Sequence, residues 1–141
     1  MSETGPPAVA GRVIEEGWNQ GRLEVIDELV DSAYVRHTFF GDMCGPEAFK
    51  ERIRSTRAAV SDLHIEIHEI VVQGSSGCCH YTFTGRHTGE LLGNPATDND
   101  IEFGGAVVVH YAGGKLVEEW EYVDTARVLA QFSQRDEPSA R

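Results

Sequence analysis

The sequence predicts an α+β domain in which N-terminal helices pack on the concave face of a curved antiparallel sheet. Two observations predict it. Apolar residues recur at helical spacing through Val60, and from Asp62 onward the period changes to alternation broken by glycine-rich turns. With 141 residues the chain is one domain's worth of sequence, enough to bury a sizeable core without disulfide or metal staples.

After a leader ending in Pro6-Pro7, Val9, Val13, Ile14 and Trp18 share one helical face, and Asn19-Gln20-Gly21 interrupts the run. A second short helix carries Leu23, Ile26, Leu29 and Val30. Tyr34 to Thr38 reads as a brief extended piece. Gly45-Pro46-Glu47 starts a third helix, with proline at the first helical position and a carboxylate at the positive end of the dipole. Phe49, Ile53, Thr56 and Val60 line one side of it.

The first long strand places Leu63, Ile65 and Ile67 on one face and His64, Glu66 and His68 on the other. Gly74 to Gly77 turns into a strand from Cys78 to His87. A longer loop, Gly89 to Asn99, leads to a strand from Ile101 to Tyr111, and Gly113-Gly114 turns into the last strand. There Trp120, Tyr122 and Asp124 fall on one face, with Glu119 and Glu121 on the other. A short helix from Thr125 to Phe132 closes the domain, and the polar tail, 133–141, is expected to fray, as is the leader, 1–7.

The formal charge of −11 and the lack of a basic cluster exclude a phosphate backbone or an anionic membrane as partner. A small hydrophobic or aromatic ligand fits this composition better. Cys44 and the adjacent pair Cys78-Cys79 have neither disulfide-framework nor zinc-ligand spacing, which points to a reducing, cytoplasmic setting. No signal peptide or membrane-length apolar run is present in the sequence. His64 and His68, four apart on a strand, would stand about 13 Å apart, too far to chelate one metal. No metal or other cofactor is expected.

Several segments together resemble one family, the SnoaL-like polyketide cyclases of the nuclear transport factor 2-like superfamily. They are Trp18-Asn19-Gln20-Gly21, Tyr34 with His37, Gly45-Pro46-Glu47 leading to Ser61-Asp62, Thr84 to Gly89, and Gly114-Lys115 through Trp120 to Asp124 and Gln131. The resemblance implies a cone-shaped sheet and a cofactor-independent aldol ring closure of a polyketide-like, polycarbonyl substrate. It also implies that Asp124 is the general acid/base, with His110 close by on the preceding strand. Arg86 stands where the family usually has a small residue.

An aspartate in an apolar pocket suits such chemistry, because desolvation can raise a carboxyl from about 3.9 by ~3–5 units. Trp18, His37, Arg86, Trp120 and Tyr122 are the candidate substrate-binding residues. Each has a plainer reading: Asp124 as the N-cap of the closing helix, accepting the Arg127 amide; His110 as a hydrogen-bonded strand residue; the aromatics as core. Joining His110 to the Asp124 face requires a three-residue, bulged Gly113-Gly114 turn, which is the version expected. Epoxide opening by two carboxylates bridged by an inward arginine, isomerase-type proton shuttling, and a non-catalytic small-molecule binding module are the alternatives. Val107, Val109, Val117 and Val123 suggest an apolar outer sheet face and hence a homodimer.

Overall fold

The computed structural model describes residues 5–133. Pro6 and Pro7 open helix α1 (Pro6–Arg12), which runs on as a π-helical stretch, Val13–Asn19. The expectations for 1–4 and 134–141 lie outside the described residues. Helix α2 (Glu24–Leu29), strands β1 (Val30–Thr38) and β2 (Gly41–Cys44), and helix α3 (Gly45–Ala59) follow. The second half is β3 (Val60–Gln73), β4 (Ser76–His87), β5 (Asp100–Ala112), β6 (Lys115–Val123) and helix α4 (Thr125–Ser133).

The six strands form one curved sheet in the order β2-β1-β6-β5-β4-β3. It is mixed rather than wholly antiparallel, because β1 runs parallel to β6. The chain enters β1 from α2 and β6 from the β5 hairpin, so the strands meet without a direct connection between them. Val30 and Val60, assigned to helices by their spacing, instead begin strands β1 and β3.

The helical apolar stripe is buried as the period requires: Val9, Val13, Ile14 and Trp18 from the first helix, and Phe49 and Ile53 from α3. Asn19 fastens this layer to the sheet. Its side chain donates to the Ile65 carbonyl at 2.9 Å and accepts the Ile65 amide at 2.7 Å, while Arg57 donates to the Trp18 and Asn19 carbonyls at 2.9 Å each. At the other end, Gln131 holds α4 down by bonding both the amide and the carbonyl of Glu102.

The hairpin between β5 and β6 differs from expectation. Ala112 pairs with Lys115, so Gly113-Gly114 is a two-residue turn with φ of 60° and 80°. The irregularity lies one step further on: Tyr111 pairs with Leu116 but His110 with Glu118, leaving Val117 as the extra residue of a β-bulge. That one residue inverts the parity of β6. Leu116, Glu119, Glu121 and Val123 face the helices, and Trp120 and Tyr122 face away.

Candidate functional site

Between the helices and the sheet lies an apolar cavity open at one end. Trp18, Phe49, Ile65, Phe83, Phe103 and Val107 form its walls, and Phe39, Phe40, Leu91, Leu92, Val128 and Leu129 its other lining, with Phe40, Leu92 and Leu129 reaching solvent. The loop after β4 is placed by backbone bonds of Thr88 and Gly89 to the Ala59 carbonyl and of Asp98 to His87, which bring Leu91 and Leu92 against the cavity.

A polar cluster interrupts this greasy lining. On β1, alternation turns Tyr34 and Arg36 inward; on β6, the shifted parity turns Glu119 and Glu121 inward, and the register sets Arg36 beside Glu119. Arg36 Nη1 donates to Glu119 Oε1 at 2.7 Å, and its Nη2 lies 3.3 Å from Glu121 Oε2. The Tyr34 hydroxyl donates to Glu119, and the Tyr81 hydroxyl donates to Glu121 Oε2 at 3.0 Å. One guanidinium thus spans two carboxylates, each also held by a tyrosine.

Burial alone would oppose the charge on Arg36, yet Glu121 and Glu119 outweigh it and raise its value well above normal. Burial and the nearby carboxylates also push both Tyr34 and Tyr81 far up, so each hydroxyl keeps its proton. The two glutamates are not equivalent. Glu119 has a side chain 6% exposed, whereas Glu121 is 18% exposed and no described residue hydrogen-bonds its Oε1. Glu121 therefore presents a free carboxylate oxygen to the cavity. Cys79 also lines it, as a thiol pushed up to about 11 chiefly by burial. No cluster of His, Cys, Asp and Glu able to hold a metal occurs among the described residues.

Residues 8–132 match the SnoaL-like polyketide cyclase family. The chain belongs to that family. Among its relatives is the nogalonic acid methyl ester cyclase of Streptomyces nogalater, 26% identical over 118 residues, which are 82% of this chain and 88% of that one. The aklanonic acid methyl ester cyclase DnrD of Streptomyces peucetius is 26% identical over 127 residues, 85% of this chain and 88% of that one. In fold, a Jannaschia sp. CCS1 protein assigned to the SnoaL-like cyclases superposes with a TM-score of 0.84 at 17% identity, over 96% of this chain and 100% of that one. No helix among the described residues is long and apolar enough to cross a membrane.

Within this SnoaL-like frame the residues singled out from sequence are redistributed. Trp18 lines the cavity. Asp124 does not: it is exposed and caps α4, its Oδ1 accepting the Arg127 amide at 3.2 Å. His110 does share a face with Trp120, meeting its ring edge-on at 4.9 Å, but the bulge makes that the outer face. His37 is there too, stacked on Trp120 at 5.3 Å and held between Asp42 at 2.8 Å and Glu118 at 2.7 Å. Glu118, then Asp42, raise its pKa.

Tyr122 is 60% exposed on that outer side. Arg86 points to solvent, bonded to Asp98 and Asp100, so the inward arginine between two carboxylates is Arg36 and not Arg86. The valines are corrected likewise: Val107 and Val123 line the cavity and Val109 is buried, while Val108 takes the outer face with His110.

Tyr34, Arg36, Tyr81, Glu119 and Glu121 were the residues that periodicity missed. A signal existed: Tyr34 and Arg36 are two apart, as are Glu119 and Glu121, so each pair must share a face of its strand. Nothing local says that the two strands are neighbours.

Proposed function

We propose that this chain catalyses intramolecular aldol-type ring closure of a polyketide-like polycarbonyl compound, with Glu121 as the acid/base group. The observation that carries the reading is the free Oε1 of Glu121 in an apolar cavity, its other oxygen held by Tyr81 and Arg36. Glu121 takes a proton from the carbon between two carbonyls, leaving an enolate. The enolate carbon attacks the carbon of a further carbonyl elsewhere in the same molecule, the electron pair of that carbonyl moves to its oxygen, and that oxygen takes the proton back from Glu121. The carboxylate is restored and the product has the mass of the substrate. Enclosure in the cavity holds the two ends of the chain together, which contributes much of the rate.

The methyl esters of nogalonic and aklanonic acid, named for the relatives, are the first compounds to try, each beside its free acid. Glu121→Gln is expected to lower turnover by about 10²–10⁴, whereas Asp124→Asn keeps both the helix cap and activity. Parent-like turnover by Glu121→Gln, or loss of it in Asp124→Asn, would return the role to the end of β6.

A second reading has support from Arg36 lying between Glu119 and Glu121. Such a pair could orient a water molecule against an epoxide carbon while a carboxylic acid protonates the departing oxygen. Its product is heavier than the substrate by one water, so mass spectrometry separates the two reactions. Binding without any conversion would favour a non-catalytic carrier. For the outer face carrying Val108, Trp120 and the exposed Tyr122 we propose a second copy of the chain as partner.

A further inference from the structure

Arg52 is the cavity's unmatched charge. It sits on α3, half-buried, with its guanidinium 5.0 Å from the centre of the Phe40 ring. No described residue accepts a hydrogen bond from any of its five N–H groups, and none gives it an ion pair. Arg12, Arg22, Arg36, Lys50, Arg54 and Arg86 all have carboxylate partners. A chain with 23 acidic and 12 basic residues does not lack carboxylates to supply one.

Inside the cavity the charges of Arg36 and Arg52 balance those of Glu119 and Glu121, but both glutamates are bonded to Arg36 and neither forms an ion pair with Arg52. An unpaired, partly desolvated guanidinium is costly unless something completes it. Burial and repulsion from Arg36 already weaken its hold on its proton. Phe40 lies against the guanidinium and Phe39 packs on Phe40 at 4.0 Å, an aromatic pair that suits a flat ring next to the charge.

We propose that Arg52 binds a carboxylate of the ligand, so that the cavity takes an aromatic acid in preference to its ester. This rests on the reading of the cavity as the substrate site, and it adds the class of substrate. A guanidinium matches a carboxylate with two parallel N–H···O bonds, and an ester cannot accept them with the same strength. Phe40 covers the guanidinium carbon at 5.0 Å without using any of its N–H groups, which leaves them for the ligand.

Equilibrium calorimetry with 3-hydroxy-2-naphthoic acid and its methyl ester tests this without requiring turnover. The parent is expected to bind the acid at least about tenfold more tightly than the ester, the strength of a charged hydrogen bond. Arg52→Gln should erase that preference while leaving ester affinity unchanged, which also shows that the cavity is intact. Arg86→Gln, altered on the surface, should behave as the parent. Equal affinity for acid and ester in the parent, binding of neither, or an acid preference that survives Arg52→Gln overturns the assignment. Because only binding is read, a failure of the ring-closure reading would leave an acid preference standing, and the two failures are distinguishable.

Discussion

Gly105 is the position where the cluster makes its sharpest demand on the sequence. A Cβ built there would lie 2.6 Å from the Tyr81 hydroxyl oxygen, 2.7 Å from Tyr81 Cζ and 2.9 Å from Val123 Cγ1. Reaching an ordinary contact of 3.4 Å from 2.6 Å requires the hydroxyl to move about 0.8 Å. A shift of that size can carry its 3.0 Å bond to Glu121 beyond 3.5 Å.

For Gly105→Ala, overpacking costs about 1–3 kcal/mol, and a lost bond to a carboxylate about 1.5–3 kcal/mol. Removing a glycine from a strand interior returns about 0.5–1 kcal/mol. The net is a loss of about 2–5 kcal/mol, or roughly 7–17 °C in melting temperature for a domain of this size.

Gly104→Ala is the matched control. Its Cβ would meet nothing closer than the Tyr81 carbonyl oxygen at 3.7 Å, so only the favourable backbone contribution remains. Thermal and urea unfolding of both variants decide the matter. If the two variants melt alike, or if Gly105→Ala stays within about 2 °C of the parent, then Tyr81 is not held over Gly105 and the geometry of Glu121 must be redrawn.

Two histidines should titrate in opposite directions. Glu118 and Asp42 raise His37, so its ion pairs stabilise the fold fully below about pH 6.5, and that contribution is lost as pH rises through the higher folded value. Burial lowers His87, whose Nε2 has no partner among the described residues, so the fold loses stability as pH falls from about 6.5 toward the lower folded value. NMR titration of the ring protons should put His37 above and His87 below the usual value; the reverse order would refute both environments. Sedimentation should show a dimer at micromolar concentration that Tyr122→Asp shifts toward monomer, and a monomeric parent would remove the outer-face partner.

Much of the architecture was legible because it depends on local periods. The stripe from Val9 to Trp18 and the run from Phe49 to Ile53 bury as helical faces, and Leu63 with Ile65 bury as one face of a strand. Gly113-Gly114 marked its turn because glycine adopts positive φ without a steric penalty. The family, too, was readable from short segments spread along the chain, and residues 8–132 match it.

The site was not legible. A strict alternation from Leu116 would have put Trp120 inside, and its aromatic neighbours made that reading attractive. The extra residue Val117 reverses it, and no local signal separates a bulged strand from a regular one. Buried glutamates also contradict their own composition, since an isolated Glu119 or Glu121 belongs in water. They stay inside because Arg36 pairs with Glu119, 83 positions away in sequence, across a parallel β1–β6 contact. The chain by itself determined which segments are helix, strand and turn, because those preferences act between near neighbours. Tertiary structure decided which carboxylates line the cavity, because that depended on a bulge and on a charge brought in from the other end of the chain.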